Sequence, residues 1–75
     1  MAKRYNAEKF ALAVQLKRKM CDLSRKELGV IVSVNERTIM NVEGGEHAPD
    51  IATFAALCDW LDLSPNEFFT EQKTR

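Results

Sequence analysis

The sequence predicts an all-α protein, a compact bundle of five helices in one small domain. Three observations lead to this expectation. The chain has 75 residues, helix-capping residues recur along it, and apolar residues follow helical spacing between the caps. The strongest strand signal is the β-branched run 30–34, but this run lies inside a helical start pattern and no turn residues precede it. A domain of this size buries only roughly 60% of its unfolded surface, so its core is small.

The first helix is expected from about Ala7 to Cys21, with Asn6 as its N-cap. Phe10 and Val14 lie on one stripe at helical spacing, and Cys21 continues that stripe. The stripe is therefore expected to face the core.

The second helix is expected to open with a capping box, in which Ser24 and Glu27 each accept a hydrogen bond from the other's backbone N–H. Leu23 precedes the box as a hydrophobic staple. Leu28 and Val32 then follow at helical spacing and should point inward.

The third helix is expected to start at Asn35, another N-cap, and to run to about Glu43, where Gly44-Gly45 ends it. Ile39 and Val42 supply its inward stripe. The opposite, outward face carries four side chains at helical spacing: Glu36, Arg37, Met40 and Asn41.

The last two helices follow a loop. Asp50 is expected to cap a fourth helix that runs to about Leu61, and the segment 64–67 reads as a second capping box with a proline at the first helical position. That box should open a short fifth helix through Phe68 and Phe69. The inner face predicted for the fourth helix is Ile51, Phe54, Ala55, Cys58 and Leu61.

These elements divide the chain into a flexible basic arm at 1–6, a single helix-turn-helix domain at 7–70 and a frayed tail at 71–75. We expect a cytoplasmic protein, because the sequence shows neither the ~20 apolar residues of a membrane span nor the apolar core of a signal peptide. Cys21 and Cys58 fall on predicted apolar faces, which favours buried and reduced thiols.

The formal net charge of zero hides an uneven distribution. Residues 1–26 carry eight basic and two acidic side chains, a net +6, whereas residues 27–75 carry three basic and nine acidic ones, a net −6. Such asymmetry hints at an anionic partner such as nucleic acid or a membrane. The alternative is a solvated helix whose Lys and Arg side chains simply face water.

The sequence indicates no enzyme and no cofactor. His47 is the only histidine and has no partners at metal-ligand spacing, and no Cys-x-x-Cys, P-loop or Gly-x-Gly-x-x-Gly motif occurs. Glu43 and Glu46 are three residues apart, but they flank two glycines, so a solvated pair is a better interpretation than a catalytic dyad. Neither catalytic nor metal-binding residues are therefore predicted.

The most informative segment is the helix–turn–helix from Ser24 to Glu43, with a turn of about three residues at 33–35. Gly29 lies midway along its first helix, where a minimal side chain lets the second helix cross closely. Together with the downstream helices, this segment resembles the Cro/cI-type helix-turn-helix family of prokaryotic and phage regulators, also called the xenobiotic-response-element family. The resemblance covers about residues 10–69 and rests on residues 23–29, 34–39, 42–45, 49, 57, 61, 63–64 and 67–69.

The resemblance implies a five-helix bundle of the lambda-repressor type that inserts helix 3, at about 35–43, into the DNA major groove. It further implies a transcriptional repressor, a homodimer on a palindromic operator. Arg37 suits guanine, Asn41 suits adenine, and Glu36 can accept from the cytosine amino group. The match also places Arg25, at the start of helix 2, at a phosphate-contact position, and Lys26, Lys3 and Arg4 are weaker phosphate candidates. The full set of DNA-binding residues expected from the match is Arg25, Lys26, Asn35, Glu36, Arg37, Thr38, Met40 and Asn41.

The same resemblance assigns Arg18 and Glu43 to a structural clamp between helix 1 and helix 3. The chain also departs from the family pattern. Asp22, Ser33 and Asp62 stand where glycine is usual, and segment 46–47, Glu-His, stands where basic residues usually contact phosphate.

These departures leave an alternative: a protein-interaction module on the same fold, an antitoxin or antirepressor that binds another regulator. Val30 and Ile31 are apolar where this surface is usually polar, although partial burial under helix 1 or the arm is the favoured interpretation. Trp60 and Phe69 raise the same question of a partner surface: the edge of the core is the favoured interpretation, and a two-fold dimer contact is the alternative.

Overall fold

The computed structural model describes residues 3–46 and 48–71. It contains four α-helices and a small two-stranded sheet, so the protein is mostly but not purely α-helical. A single 3₁₀ turn precedes the second strand. In chain order the elements are β1 (Lys3–Tyr5), α1 (Ala7–Met20), α2 (Arg25–Val32), α3 (Glu36–Gly44), α4 (Ile51–Leu61), the 3₁₀ turn (Pro65–Phe68) and β2 (Phe69–Glu71).

The predicted N-caps of the four α-helices are confirmed. Asn6, Ser24, Asn35 and Asp50 each accept a hydrogen bond from a backbone N–H two or three residues further on, at 2.7–3.0 Å. Glu27 completes the capping box by accepting from the Ser24 N–H at 2.8 Å. These backbone hydrogen bonds lower the pKa of Glu27 and of Asp50, because they stabilise the ionised carboxylates.

The expected fifth helix is wrong, because the segment forms only the 3₁₀ turn. The Ser64 hydroxyl accepts from the Asn66 N–H at 3.3 Å, while the Glu67 N–H donates to the Ser64 carbonyl at 2.9 Å, so the reciprocal capping box is not formed. Phe69 already has extended backbone and begins β2. Strand pairing therefore ends the turn before a full α-helical turn can form.

The flexible arm expected at 1–6 is corrected only over the residues that the structure describes, since residues 1 and 2 lie outside them. Lys3–Tyr5 forms β1 and pairs antiparallel with β2, in the register Lys3 to Glu71, Arg4 to Thr70 and Tyr5 to Phe69. The ring of Tyr5 lies 5.7 Å from the Phe54 ring and 6.1 Å from the Phe10 ring. Aromatic packing thus fixes β1 against the bundle.

The predicted tail begins inside β2, because its first residue, Glu71, belongs to that strand. Residues 72–75 of the tail lie outside the described part of the chain, as does His47.

Burial and the nearby Cys58 thiolate raise the pKa of Tyr5 to about 12, burial being the larger cause. Tyr5 is therefore a neutral packing residue at physiological pH.

The core lies where all four helices and the 3₁₀ turn meet. The predicted inward residues of the first three helices are buried, apart from the half-buried Val32 and the exposed Cys21. The side chains with almost no exposure are Phe10, Val14, Leu28, Ile39, Leu57 and Phe68.

The predicted inner face of α4 is partly wrong. Ile51 is 86% exposed and Ala55 is also exposed, whereas Thr53 and Leu57 are buried. The buried face is centred on the row Thr53, Leu57 and Leu61, and residues 51 and 55 fall just outside it.

The two cysteines differ, although both are free thiols. Cys58 is buried as expected, and burial raises the pKa of its thiol. Cys21 is exposed, because α1 ends at Met20 and Cys21 is its C-cap, whose N–H donates to the Lys17 carbonyl. The apolar stripe of α1 therefore stops before this residue.

The three positions where glycine was expected adopt the left-handed conformation. Asp22, Ser33 and Asp62 have φ of 57°, 59° and 59°. Ser33 and Asp62 are the C-caps of α2 and α4, and Asp22 follows the C-cap of α1. Residues with a Cβ atom are strained in this region, and Ser lacks the partial tolerance of Asp.

We expect Ser33→Gly to stabilise the fold. Glycine relieves about 1–2 kcal/mol of left-handed strain but loses about 0.5–1 kcal/mol in chain entropy, so the expected gain is about 0.5–1 kcal/mol. Urea unfolding measures it as a higher midpoint. Ala55→Gly, at an exposed site inside α4, is the matched control and should lower stability by about 1 kcal/mol. A lower midpoint for Ser33→Gly would contradict the strain at this position.

Candidate nucleic-acid interface

The helices α2 and α3 are joined by a tight turn at residues 33–35. The Val34 N–H donates to the Gly29 carbonyl at 2.8 Å and closes the turn onto α2. A Cβ atom on Gly29 would lie 2.4 Å from the Val34 carbonyl oxygen. Position 29 therefore requires glycine, because a side chain there would collide with the backbone of the turn. The close contact is with the turn itself and not, as predicted, with the crossing second helix.

The predicted clamp between α1 and α3 is present as a bidentate ion pair. Arg18 Nε donates to Glu43 Oε2 at 2.7 Å and Arg18 Nη2 donates to Glu43 Oε1 at 3.1 Å. The Glu43 side chain is only 2% exposed. Hydrogen bonding to Glu43 is the main reason why the pKa of Arg18 is raised.

Arg25 joins the same carboxylate, which the sequence did not predict. Its Nε donates to Glu43 Oε1 at 2.9 Å, while its side chain remains 45% exposed. The expected phosphate contact is therefore also the third member of the clamp. Eighteen residues separate Arg25 from Glu43, so helical periodicity gives no signal for the contact.

Two backbone carbonyls complete the surroundings of the clamp. Gln15 Nε2 donates to the Glu43 carbonyl at 2.9 Å, and Arg18 Nη1 donates to the Leu23 carbonyl at 2.9 Å. In the described part of the chain no buried side-chain nitrogen or oxygen lacks a partner. The clamp is thus a fully hydrogen-bonded network, the condition under which buried charges are tolerated.

The clamp and the core fix which face of α3 is free. Ile39, Val42 and Glu43 point inward. The predicted base-reading residues share the opposite, exposed face, and Met40 is 48% exposed. Those exposed side chains are Glu36, Arg37, Met40 and Asn41.

The other predicted DNA-binding residues differ in their exposure and in whether they already bond within the protein. Lys26 is exposed in the first turn of α2, and Thr38 is half-buried. The side chain of Asn35 accepts the Arg37 N–H as the cap of α3, so that oxygen is already used within the protein. Lys3 and Arg4 are exposed on β1.

A groove of about 470 Å³ runs between α3 and the loop that follows it. Thr38, Met40 and Asn41 line one side, and Glu46 and Pro49 line the other. Glu46 is exposed, so one acidic side chain stands beside the outward face of α3.

The residues of the expected partner surface separate into two places. Val30 is 76% and Ile31 55% exposed, so their expected partial burial is wrong. Neither helix 1 nor the arm covers them: Lys3–Tyr5 of the arm pairs with β2, and α2 turns Leu28 and Gly29 inward instead. Ile31 and the half-buried Trp60 line one groove of about 250 Å³.

Phe69 lies apart from that groove. It lines an apolar depression of about 250 Å³ with Tyr5, Ile51 and Phe54, and it is 37% exposed.

The Lys17 ammonium lies 5.0 Å from the centre of the Trp60 ring and donates to the Trp60 carbonyl. Trp60 is therefore anchored at the edge of the core.

Within residues 3–46 and 48–71, no three His, Cys, Asp or Glu side chains are grouped so that they could bind a metal ion. No helix of this part has both the length and the apolar character that crossing a membrane requires. Neither a protein-family model nor a curated protein sequence matches the chain. The geometry of α2 and α3 is therefore the main indication of function.

Removing the carboxylate of Glu43 should strongly destabilise the fold. Glu43→Ala leaves Arg18 buried without its counter-charge, so we expect a loss of about 3–5 kcal/mol in the free energy of unfolding. Arg25→Ala should cost about 1 kcal/mol or less, because that side chain is nearly half exposed. Glu46→Ala, which removes an exposed acid, is the control and should stay within about 0.5 kcal/mol of wild type. Equal urea midpoints for Glu43→Ala and Glu46→Ala would refute the structural role of the clamp.

Proposed function

We propose that this protein is a sequence-specific DNA-binding transcriptional regulator, a repressor with a helix-turn-helix of the lambda-repressor type. In this function α3 enters the major groove and α2 lies across its mouth. The observation that carries the proposal is the exposed face of α3, where Glu36, Arg37 and Asn41 share one surface while the opposite face is locked into the core.

The chemistry of that face suits base recognition. A guanidinium can bond bidentately to guanine O6 and N7, a carboxamide can bond to adenine N6 and N7, and a carboxylate can accept from cytosine N4. Arg37, Asn41 and Glu36 supply these three groups. Met40 lies between them and offers an apolar contact for a thymine methyl group.

Phosphate contacts would come from the start of α2. Arg25 and Lys26 occupy its first turn, where the helix dipole also favours an anion. Because the carboxylates of Glu36 and Glu46 repel phosphate, non-specific affinity for DNA should be low and base contacts should carry more of the binding.

The repressor would act as a homodimer on half-sites about 34 Å apart. Since the operator lies on the chromosome of a prokaryote or phage, we propose a cytoplasmic location.

A selection from random double-stranded DNA, followed by fluorescence anisotropy on the selected duplex, tests this function. We expect salt-sensitive binding that Arg37→Ala weakens by about 1–3 kcal/mol, with preference relaxed at one base pair. Lys26→Ala is the matched control: it should weaken all sequences alike and reduce the slope of log affinity against log salt by about 1. If no duplex is enriched and none binds even at low salt, the proposal fails.

The exposure of Val30 and Ile31 favours a second candidate function, a protein-interaction module of the antitoxin or antirepressor type. The groove between Ile31 and Trp60 offers an apolar side chain of a partner regulator a place to bind. In this function α2, rather than α3, carries recognition.

Val30→Asp separates the two candidates. This side chain is 76% exposed, so the substitution should leave the fold unchanged by circular dichroism. Under the second candidate it abolishes one-to-one binding of a regulator co-purified from the source organism, while Arg37→Ala leaves that binding intact. The opposite pattern rejects the module and retains α3 as the recognition element.

A further inference from the structure

The groove beside Trp60 lies where α2 and α4 end, and it has a volume of about 250 Å³. Six residues of α2, of its C-cap and of α4 line it: Ile31, Val32, Ser33, Ala56, Asp59 and Trp60. Pockets for small molecules usually have volumes of ~300–1,000 Å³. The smaller volume of this groove suits a single side chain of a partner.

The groove attracts positive charge. Its lining contains one acid, the exposed Asp59, and no base. Two helices end here, so the negative ends of their dipoles lie at the groove, and neither helix has a basic residue in its last turn. A site of this kind repels phosphate, which argues against a nucleic acid or an anionic membrane as its occupant.

The bases of the protein itself do not neutralise the groove. In the part of the chain that the structure describes, the only ion pairs are those of Glu43, so Asp59 has no ionic partner there. Lys17 donates to the Trp60 carbonyl, but it lines the groove between α1 and α4 instead. The carboxylate of Asp59 is therefore available to a cation from outside.

The walls of the groove are apolar. Ile31, which is 55% exposed, lines the α2 side, and Trp60 lines the α4 side. Asp59 directly precedes Trp60 and lies three residues after Ala56, so these three residues form one patch of the α4 surface. An aromatic ring beside a carboxylate matches arginine, which has an apolar stem and a flat guanidinium that stacks on rings and binds carboxylates. The ammonium of lysine is a more strongly hydrated point charge and fits less well.

We propose that this groove binds an arginine side chain of a partner protein, with the aliphatic stem between Ile31 and Trp60 and the guanidinium at Asp59. The proposal rests on the second candidate function, for which it specifies the chemistry of the partner. Val30, which is 76% exposed beside Ile31, offers an apolar contact to the residues that flank the arginine. None of the predicted DNA-binding residues lines the groove, so the arginine and DNA occupy different surfaces.

A selection from a random peptide library on the immobilised full chain, followed by titration of the enriched peptides, tests the proposal. Trp60 is the only tryptophan, so its fluorescence reports on the groove. We expect the enriched peptides to share an arginine next to an apolar residue. Replacing this arginine by citrulline, its neutral isostere, should raise the dissociation constant about tenfold or more, because the charge-assisted hydrogen bonds are lost. Replacement by lysine should raise it by a smaller factor.

Asp59→Asn locates the binding site. In this variant the arginine peptide should bind about tenfold or more weakly, and no better than the citrulline peptide, because the carboxylate that distinguishes the two is absent. Glu46→Gln is the matched control: it neutralises an exposed acid that lines a different groove and should leave the dissociation constant within about twofold of wild type. Circular dichroism checks that both variants remain folded.

The possible failures are distinguishable. Enriched peptides that lack arginine but lose binding in Val30→Asp overturn the proposal and keep the second candidate function. Arginine peptides that bind Asp59→Asn as tightly as wild type also overturn it, since their site then lies elsewhere. A library from which no peptide is enriched overturns the proposal and the second candidate together.

Discussion

One buried carboxylate connects the three helices on which the candidate site depends. Glu43 of α3 is bound by Arg18 of α1 and by Arg25 of α2, and its own backbone carbonyl accepts from Gln15. A buried ion pair adds little to stability by itself, because desolvation offsets the attraction, but losing one member leaves an expensive unpaired charge. The pair therefore acts mainly as a geometric constraint. Any rotation of α3 about its axis would break contacts to both arginines at once.

The cluster of Arg18, Arg25 and Glu43 also has an electrostatic consequence at the start of α2. Two guanidinium groups meet one carboxylate, so the cluster carries one excess positive charge. Arg18 is buried, whereas the Arg25 side chain is 45% exposed, so the excess charge is presented at the start of α2. An anion approaching this point meets a guanidinium already oriented by its bond to Glu43. Orientation in advance lowers the entropy cost of binding.

Local signals predicted most of the helices. Caps such as Ser24 and Asp50 act within a few residues, so the sequence alone reveals them, and the left-handed residues at helix ends followed from comparison with a family pattern. The two strands were missed because β1 and β2 pair residues more than sixty positions apart, and three-residue strands leave almost no periodicity. The Arg25–Glu43 contact was missed for a related reason, because its eighteen-residue separation lies beyond the reach of helical periodicity. The expected partial burial of Val30 was wrong because α2 buries Leu28 and Gly29 and leaves Val30 on its outer side.

The zero net charge of the sequence is a poor guide to what the surface attracts. Opposite charges cancel for a partner only when both lie within about one Debye length, which is about 8 Å at physiological ionic strength. The molecule extends over 41 × 23 × 21 Å. Arg37 and Lys26 on α3 and α2 are therefore screened from acids that lie several Debye lengths away, and only nearby acids weaken their field. Glu36 and Glu46 are such neighbours, so the balance of these few local charges, and not the sum over 75 residues, decides how strongly this face attracts phosphate.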